Sequence, residues 1–141
     1  MGRKKEISIK LTPQRLVIME YLEGNMNHPS AADIYNAVSK KYPTMSFATV
    51  YNTLETLWEK GRLRELTIDR GKMRFDSNTK PHHHLICVQC KNITDIHRKF
   101  ALKLPEGEQY NFDIIGIHVD FYGICPKCKK EKNNNVEVKK W

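Results

Sequence analysis

Residues 82–90 read HHHLICVQC, and this stretch decides how the second half of the chain is interpreted. It holds the first of two cysteine pairs, Cys87/Cys90 and Cys125/Cys128, each with a spacing of two residues. Two thiolates of such a turn reach one tetrahedral ion, and two turns complete a closed zinc site. Redox pairs or disulfides are the competing interpretations, but persistent disulfides are unusual in a chain without a recognisable secretion signal. We therefore expect these cysteines to bind one structural Zn²⁺.

The three histidines in front of Cys87 indicate a second kind of metal site. Side chains alternate along an extended segment, so His82 and His84 share one side and His83 points away. Further nitrogen and oxygen donors are His28, Asp76 and Asp95. If these three residues converge with His82 and His84, they form a site of three nitrogens and two oxygens. Such a site suits Fe²⁺ or Mn²⁺, although nickel, copper and zinc also bind such donors strongly. Each residue also has an ordinary interpretation, as a loop histidine, a surface carboxylate or an incidental histidine run.

Upstream of the histidines, apolar spacing predicts three short helices and a hairpin. The helices begin at Thr12-Pro13, Ser30 and Ser46, and they end at Gly24, Tyr42-Pro43 and Lys60-Gly61. Leu16, Val17, Met19 and Leu22 form the expected apolar side of the first helix. The hairpin has strands from Leu63 to Ile68 and from Lys72 to Asp76, with Asp69-Arg70-Gly71 as the turn. This order of elements is the plan of a winged helix-turn-helix.

The third helix has the composition of a DNA-reading helix. Its outward residues are expected to be Phe47, Thr49, Tyr51, Asn52, Thr53 and Thr56. Short polar groups and an aromatic ring near a helix N-terminus can pair with base edges and thymine methyls in a major groove. The basic residues Arg62, Arg64, Arg70, Lys72 and Arg74 could hold phosphates around the wing. The competing interpretation is a solvated helix face with ordinary surface charges.

The second half reads as a smaller α/β domain. Strands are predicted at 84–88, 92–96 and 112–122, with a short helix at 98–104. We divide the chain into a winged-helix domain at 1–77, a hinge at 78–81, a zinc-binding domain at 82–130 and a polar basic tail at 131–141. The fold class predicted is α+β.

Charge supports this division. The net charge is +8, of which residues 1–80 carry +5 and residues 127–141 carry +4, while residues 81–126 carry −1. A basic first half suits a nucleic-acid module, although a solubilising surface would look the same. No apolar run reaches the length of a membrane span. We expect a cytoplasmic protein without a membrane partner.

Several stretches of the chain together carry a recognisable pattern. They are 11–15, 28–35, 46–54, 74–76, 82–90 with Asp95, and 122–128. The pattern resembles the ferric uptake regulator (Fur) family, most closely its peroxide-sensing branch. The resemblance covers roughly residues 11 to 130.

The resemblance implies a homodimer that binds a palindromic, AT-rich operator in double-stranded DNA when its regulatory metal is present. It implies that the Fe²⁺ or Mn²⁺ ligands are His28, Asp76, His82, His84 and Asp95. At Asp95 peroxide sensors typically carry Asp, whereas iron sensors usually carry Glu. Tyr51 matches a base-contacting position, and the candidate DNA contacts are Arg15, Ser46, Thr49, Tyr51, Asn52 and Arg70. A third metal site is not expected, because Pro81 and Ile117 stand near where two of its ligands would lie and His118 is offset by one.

The predicted function is a repressor that senses hydrogen peroxide through iron-catalysed oxidation of His28 or His82. The alternative within the family is a sensor of iron, manganese or zinc levels whose metal simply associates and dissociates. A small metalloenzyme is a different class of protein, and it would need an open coordination position and a nearby general base. No unassigned Glu or His is clearly placed for that role, so we expect a regulator and not an enzyme.

Overall fold

The computed structural model describes residues 9–69 and 72–131 and has an α+β fold. The chain divides into two compact units, Met1–Thr79 and Lys80–Trp141. The first unit holds three helices, followed by a two-stranded sheet. Within its described residues, the second holds a three-stranded sheet followed by a short helix. Within the described ranges, no helix is both long enough and apolar enough to cross a membrane.

The three helices of the first unit are α1 (Pro13–Leu22), α2 (Ala31–Lys41) and α3 (Phe47–Glu59). Each begins after a hydroxyl residue whose oxygen accepts a free amide of the first turn, which confirms the predicted helix starts. The acceptors are Thr12, Ser30 and Ser46, at 3.2, 3.2 and 3.1 Å from the amide nitrogens. At α2 the Asp33 carboxylate also accepts the Ser30 amide, and this hydrogen bond lowers the pKa of Asp33.

The core of the first unit lies between these helices and the sheet. Its fully buried members include Ile18, Ile34, Val38, Val50 and Leu54. The apolar side predicted for α1 is partly wrong, because Ile18 is buried while Leu16 is 43% exposed. Thr53 was expected to face outward, but it is buried and its hydroxyl donates to the Thr49 carbonyl over 2.7 Å. That hydrogen bond satisfies the hydroxyl locally, so burial costs little.

Strands β1 (Arg64–Asp69) and β2 (Lys72–Asp76) pair antiparallel, as predicted for the hairpin. The register places Glu65 opposite Phe75, with an irregularity between Thr67 and Asp69. Residues 70–71 of the predicted turn lie outside the described residues.

The sheet of the second unit is built around its central strand. Strand β3 (His83–Cys87) pairs antiparallel with β4 (Ile93–Ile96) and parallel with β5 (Asp120–Gly123). The turn between β3 and β4 contains Lys91 in the left-handed conformation, with φ of 62°. Helix α4 (Pro126–Lys130) follows β5 directly.

Two predicted elements of the second unit are wrong. The strand expected at 112–122 is confined to Asp120–Gly123, because β3 offers only a short edge and the described residues provide no strand partner for 112–118. The helix expected at 98–104 does not form. Leu102 and Leu104 are 58% and 50% exposed, so such a helix would bury no apolar side, and so short an isolated helix is marginal in water.

We expect Ile34→Ala to lower the free energy of unfolding of the first unit by about 2–5 kcal/mol. The Ile34 side chain is fully buried at the centre of the helical core, and truncation leaves a cavity as well as losing apolar burial. Urea unfolding of the full chain measures the change. Leu16→Ala is the control and should lower stability by only about 0.5 kcal/mol, because 43% of Leu16 is exposed to solvent. Equal effects of the two substitutions would contradict this description of the core.

Candidate metal centres

The four cysteines of the second unit meet in one cluster. The sulfur atoms all lie within 4.8 Å of one another, and the distance between the Cys90 and Cys125 Sγ atoms is 3.8 Å. A tetrahedral Zn²⁺ with Zn–S bonds of about 2.3 Å holds its ligand atoms about 3.8 Å apart. Cys87 ends β3, whereas Cys125 caps α4, so the cluster links the central strand to the short helix α4. The cluster fits a closed structural zinc site.

The surroundings of the sulfurs shift the pKa values of two cysteines in opposite directions. Burial opposes ionisation of Cys87, but backbone amides of Cys90, Cys125 and Gln89 donate to its sulfur and lower its pKa to about 6. Burial, together with the neighbouring thiols, raises the pKa of Cys128 to about 12. Zinc binding therefore has to displace a proton from Cys128, and the affinity of the cluster for zinc falls as the pH is lowered.

The second unit also places two of the three adjacent histidines against one carboxylate. Antiparallel pairing of β3 with β4 sets His84 directly opposite Asp95. The Nε2 atoms of His82 and His84 each lie 3.3 Å from Asp95 Oδ1, and both histidines are buried. His83 faces elsewhere, because its Nδ1 accepts the Val119 amide over 2.9 Å. Imidazole and carboxylate donors of this kind suit Fe²⁺, Mn²⁺ or Zn²⁺.

The first unit places the other two predicted ligands together. His28 Nε2 lies 3.3 Å from Asp76 Oδ2, and both side chains are buried. His28 adopts a φ of 51°, which is uncommon for a residue with a side chain and is concentrated at functional sites. Asp76 is also fixed from its other oxygen, which accepts the Asn78 amide over 2.9 Å. Each unit thus contributes histidine and carboxylate donors of its own.

Arg74 holds the His28 loop in place. Its guanidinium donates through Nη2 to the Asn27 carbonyl over 2.9 Å and through Nε to the His28 carbonyl. The Phe75 amide also donates to the Pro29 carbonyl over 2.9 Å. A phosphate contact of Arg74 stays a prediction. The side chain is used to fix the backbone that carries His28.

A further group of donors lies on the other side of His84. His118 Nε2 is 3.1 Å from His84 Nδ1, and Asp120 Oδ1 is 3.6 Å from the same nitrogen. Asp120 had no predicted role, and His118 was predicted only to be offset by one from a ligand position of a third metal site. The available signal was their alternation around Val119 immediately before the second cysteine pair, which places both side chains on one side of an extended segment.

The residues predicted to contact DNA occupy the start of α3 and of α1. Tyr51 and Asn52 are exposed, Tyr51 by 56%. The hydroxyls of Ser46 and Thr49 lie 2.8 Å apart and form part of the helix cap. The Arg15 guanidinium donates to the Lys10 carbonyl over 3.0 Å. Arg70, the remaining predicted contact, lies outside the described residues.

Comparison with known proteins assigns the chain to a family. The sequence model of the ferric uptake regulator family matches residues 6–122. The chain belongs to the ferric uptake regulator family. As a Fur-family protein it is a metal-dependent transcriptional regulator, and this family consists of DNA-binding, dimer-forming regulators and not of enzymes.

The relatives of this chain include peroxide regulators. The Fur-family chain is 42% identical over 135 residues to the peroxide operon regulator of Bacillus subtilis, covering 92% of this chain and 91% of that protein. It is 36% identical to a peroxide-responsive repressor PerR of Staphylococcus aureus, covering 89% of this chain and 86% of that protein.

Solved structures agree with the fold. The Campylobacter jejuni peroxide stress regulator matches with a TM-score of 0.61 and 29% identity, over 82% of this chain and 89% of that one. The ferric uptake regulator of Vibrio cholerae matches with a TM-score of 0.64 and 27% identity, over 83% and 92% of the two chains.

We expect Cys125→Ser to remove the zinc, unfold the second unit and abolish dimer formation. The reason is that Cys125 supplies a ligand atom and caps α4, while its amide donates to Cys87 Sγ over 3.4 Å. Zinc content, circular dichroism and sedimentation measure the three effects. Lys127→Ala, at an exposed position in the same turn, should leave all three unchanged. A stable dimer of the Cys125→Ser protein without zinc would contradict the structural role of the cluster.

Proposed function

We propose that this chain is a peroxide-sensing repressor. In this proposal a homodimer binds an AT-rich palindromic operator in double-stranded DNA when Fe²⁺ or Mn²⁺ is bound. It releases the DNA when peroxide oxidises a histidine ligand. The observation that carries the proposal is that each compact unit presents a histidine within 3.3 Å of a carboxylate, on residues that match the regulatory ligands of the family. The identity of 42% to a peroxide operon regulator supports the peroxide branch.

We propose that the first unit, residues 1–77 in the sequence division, is a winged helix-turn-helix with α3 as its recognition helix. The exposed Tyr51 ring and Asn52 amide support this role, since they can reach base edges. The other proposed contacts are Arg15, Ser46, Thr49 and Arg70. A transcriptional regulator works where the chromosome is, so the proposed location is the cytoplasm.

The second unit supports the proposed dimer through its apolar surface. Tyr110, Phe112 and Ile115 are 74%, 73% and 101% exposed, an unusual concentration of large apolar side chains in water. We propose that a second copy of the chain covers them, so that zinc-binding residues 82–130 act as the dimerisation domain and 78–81 as the hinge. The tail at 131–141 is assigned no part in the proposed dimer.

We propose that the ligand sets of the two units, His28 with Asp76 and His82 with His84 and Asp95, act on one exchangeable cation. Binding that cation would favour one relative orientation of the units over others. An operator that prefers the same orientation is then thermodynamically coupled to the metal, so each tightens the binding of the other.

Peroxide sensitivity follows from the ligands themselves. Bound Fe²⁺ supplies the redox chemistry that activates hydrogen peroxide. An imidazole carbon of His28 or His82 gains one oxygen atom, and the second peroxide oxygen leaves as water. The altered ring no longer supplies the same donor, so metal affinity falls and the DNA is released. The cysteine sulfurs are protected while they are bound in a closed site.

We expect His82→Ala to retain folding and zinc but to lose metal-dependent DNA binding. His82 faces Asp95, and the cysteine cluster does not use it. A duplex selected from a randomised library with Mn²⁺-loaded protein serves as the probe, and titration with and without Mn²⁺ measures the dependence. Lys103→Ala, at an exposed position of the same unit, is the matched control. Retained Mn²⁺ dependence in His82→Ala would remove this residue from the regulatory site.

We expect peroxide to abolish DNA binding of the Fe²⁺-loaded protein and to leave the Mn²⁺-loaded protein active. Peptide mass mapping should find one added oxygen on His28 or His82 only after iron loading. The same DNA titration before and after treatment measures the functional loss. If the iron-loaded protein keeps its DNA and both histidines stay unmodified, the protein senses metal level instead of peroxide.

A further inference from the structure

The strand register places His84 between two carboxylates. Asp95 lies opposite His84 on β4, and Asp120 lies opposite it on β5. The His84 ring uses a different nitrogen toward each side. Nε2 is 3.3 Å from Asp95 Oδ1, whereas Nδ1 is 3.1 Å from His118 Nε2 and 3.6 Å from Asp120 Oδ1.

The nitrogen that faces Asp95 is the one that would bind the regulatory metal. A neutral imidazole carries its proton on one nitrogen only, so ligation through Nε2 requires the proton on Nδ1. His118 Nε2 is within hydrogen-bond distance of Nδ1 and can accept a hydrogen bond from its N–H group. Asp120 is too far for a strong hydrogen bond, but its negative charge favours a proton at the same place.

Backbone contacts hold these two partners in position. The His84 amide donates to the Val119 carbonyl over 3.2 Å, and the Val119 amide donates to His83 Nδ1 over 2.9 Å. His118 and Asp120 flank Val119, so both side chains are presented by a segment that is fixed to β3. Their own side chains remain 41% and 31% exposed, so substitution there removes little buried surface.

We propose that His118 and Asp120 are positioning residues for His84. They hold the His84 ring in the tautomer with Nδ1 protonated, fix its orientation through the His118 contact, and so raise the affinity of the regulatory site. Partners behind a ligating histidine commonly act in this way, and their loss typically weakens metal binding. This inference rests on the proposed ligand role of His84.

The same three residues could instead bind a cation of their own, since their donor atoms lie close together. Such a cation would use His84 Nδ1 and would compete with ligation through Nε2. The two arrangements predict opposite effects of removing His118. Loss of a positioning residue weakens the regulatory site, whereas loss of a competing site leaves its affinity unchanged or increases it.

Mn²⁺ affinity of the zinc-containing full chain, measured by competition with a chromophoric chelator, separates these outcomes. We expect His118→Ala to weaken Mn²⁺ binding by about 10-fold to 100-fold. His118→Gln should stay within about 3-fold of the original protein, because its amide oxygen can still accept a hydrogen bond. Asp120→Asn should weaken binding by a smaller factor. Asp113→Asn, at an exposed carboxylate of the same unit, is the matched control and should have no effect.

A spectroscopic readout tests the tautomer directly. With Zn²⁺ in place of Mn²⁺, imidazole ¹H–¹⁵N spectra should show His84 ligated through Nε2, with a proton on Nδ1 that exchanges slowly with water. In His118→Ala this exchange should become fast, while the zinc content of the cysteine cluster and the dimer stay unchanged. His84 ligated through Nδ1, or loss of one bound metal ion in His118→Ala, would overturn the positioning role in favour of a separate cation site.

His84→Ala distinguishes failure of this inference from failure of the proposed function. If His84→Ala weakens Mn²⁺ binding and His118→Ala does not, only the positioning role is rejected. If His84→Ala leaves Mn²⁺ affinity unchanged, His84 is not a regulatory ligand. The positioning role of His118 and Asp120 is then rejected as well.

Discussion

Pairing of β3 along both of its edges is the constraint on which the chemistry of the second unit depends. One strand of five residues carries His83, His84 and Cys87, so its register fixes where several donor atoms lie. A shift by one residue would turn His84 away from Asp95 and move Cys87 out of its cluster. The zinc cluster closes the end of the same strand. Zinc binding and the geometry of the histidines are therefore connected through the backbone.

In the first unit, hydrogen bonds to the backbone hold the donor residues in position. The Arg74 guanidinium donates hydrogen bonds to two backbone carbonyls of the loop that carries His28. Asp76 is the last residue of β2, the strand that also carries Arg74. His28 accepts an unfavourable φ because these contacts over-determine the loop. A helical core therefore supports one histidine and one carboxylate at its edge, next to the place where the first unit ends.

Local signals in the sequence predicted the first unit well. Hydroxyl caps, helix-ending residues and apolar spacing act within a few positions, and they placed α1 to α3 and the hairpin nearly as observed. Cysteine spacing likewise predicted the cluster at Cys87 and Cys125, because ligand chemistry leaves few alternatives.

The predictions that failed concern contacts between residues distant in sequence. The length of β5 depends on the edge that β3 offers, and the contact of His118 with His84 depends on a parallel pairing that periodicity alone does not reveal. Arg74 looked like a surface charge for the same reason.

The apolar side chains exposed between residues 110 and 117 have a consequence for gene control. If assembly is needed to cover them, the fraction of folded and assembled chains follows mass action and grows with the amount of protein made. A reduction in synthesis would then lower the concentration of assembled protein in two ways. Fewer chains would be present, and a smaller fraction of them would be assembled. Occupancy of a promoter would respond to abundance more steeply than for a repressor that works as single chains.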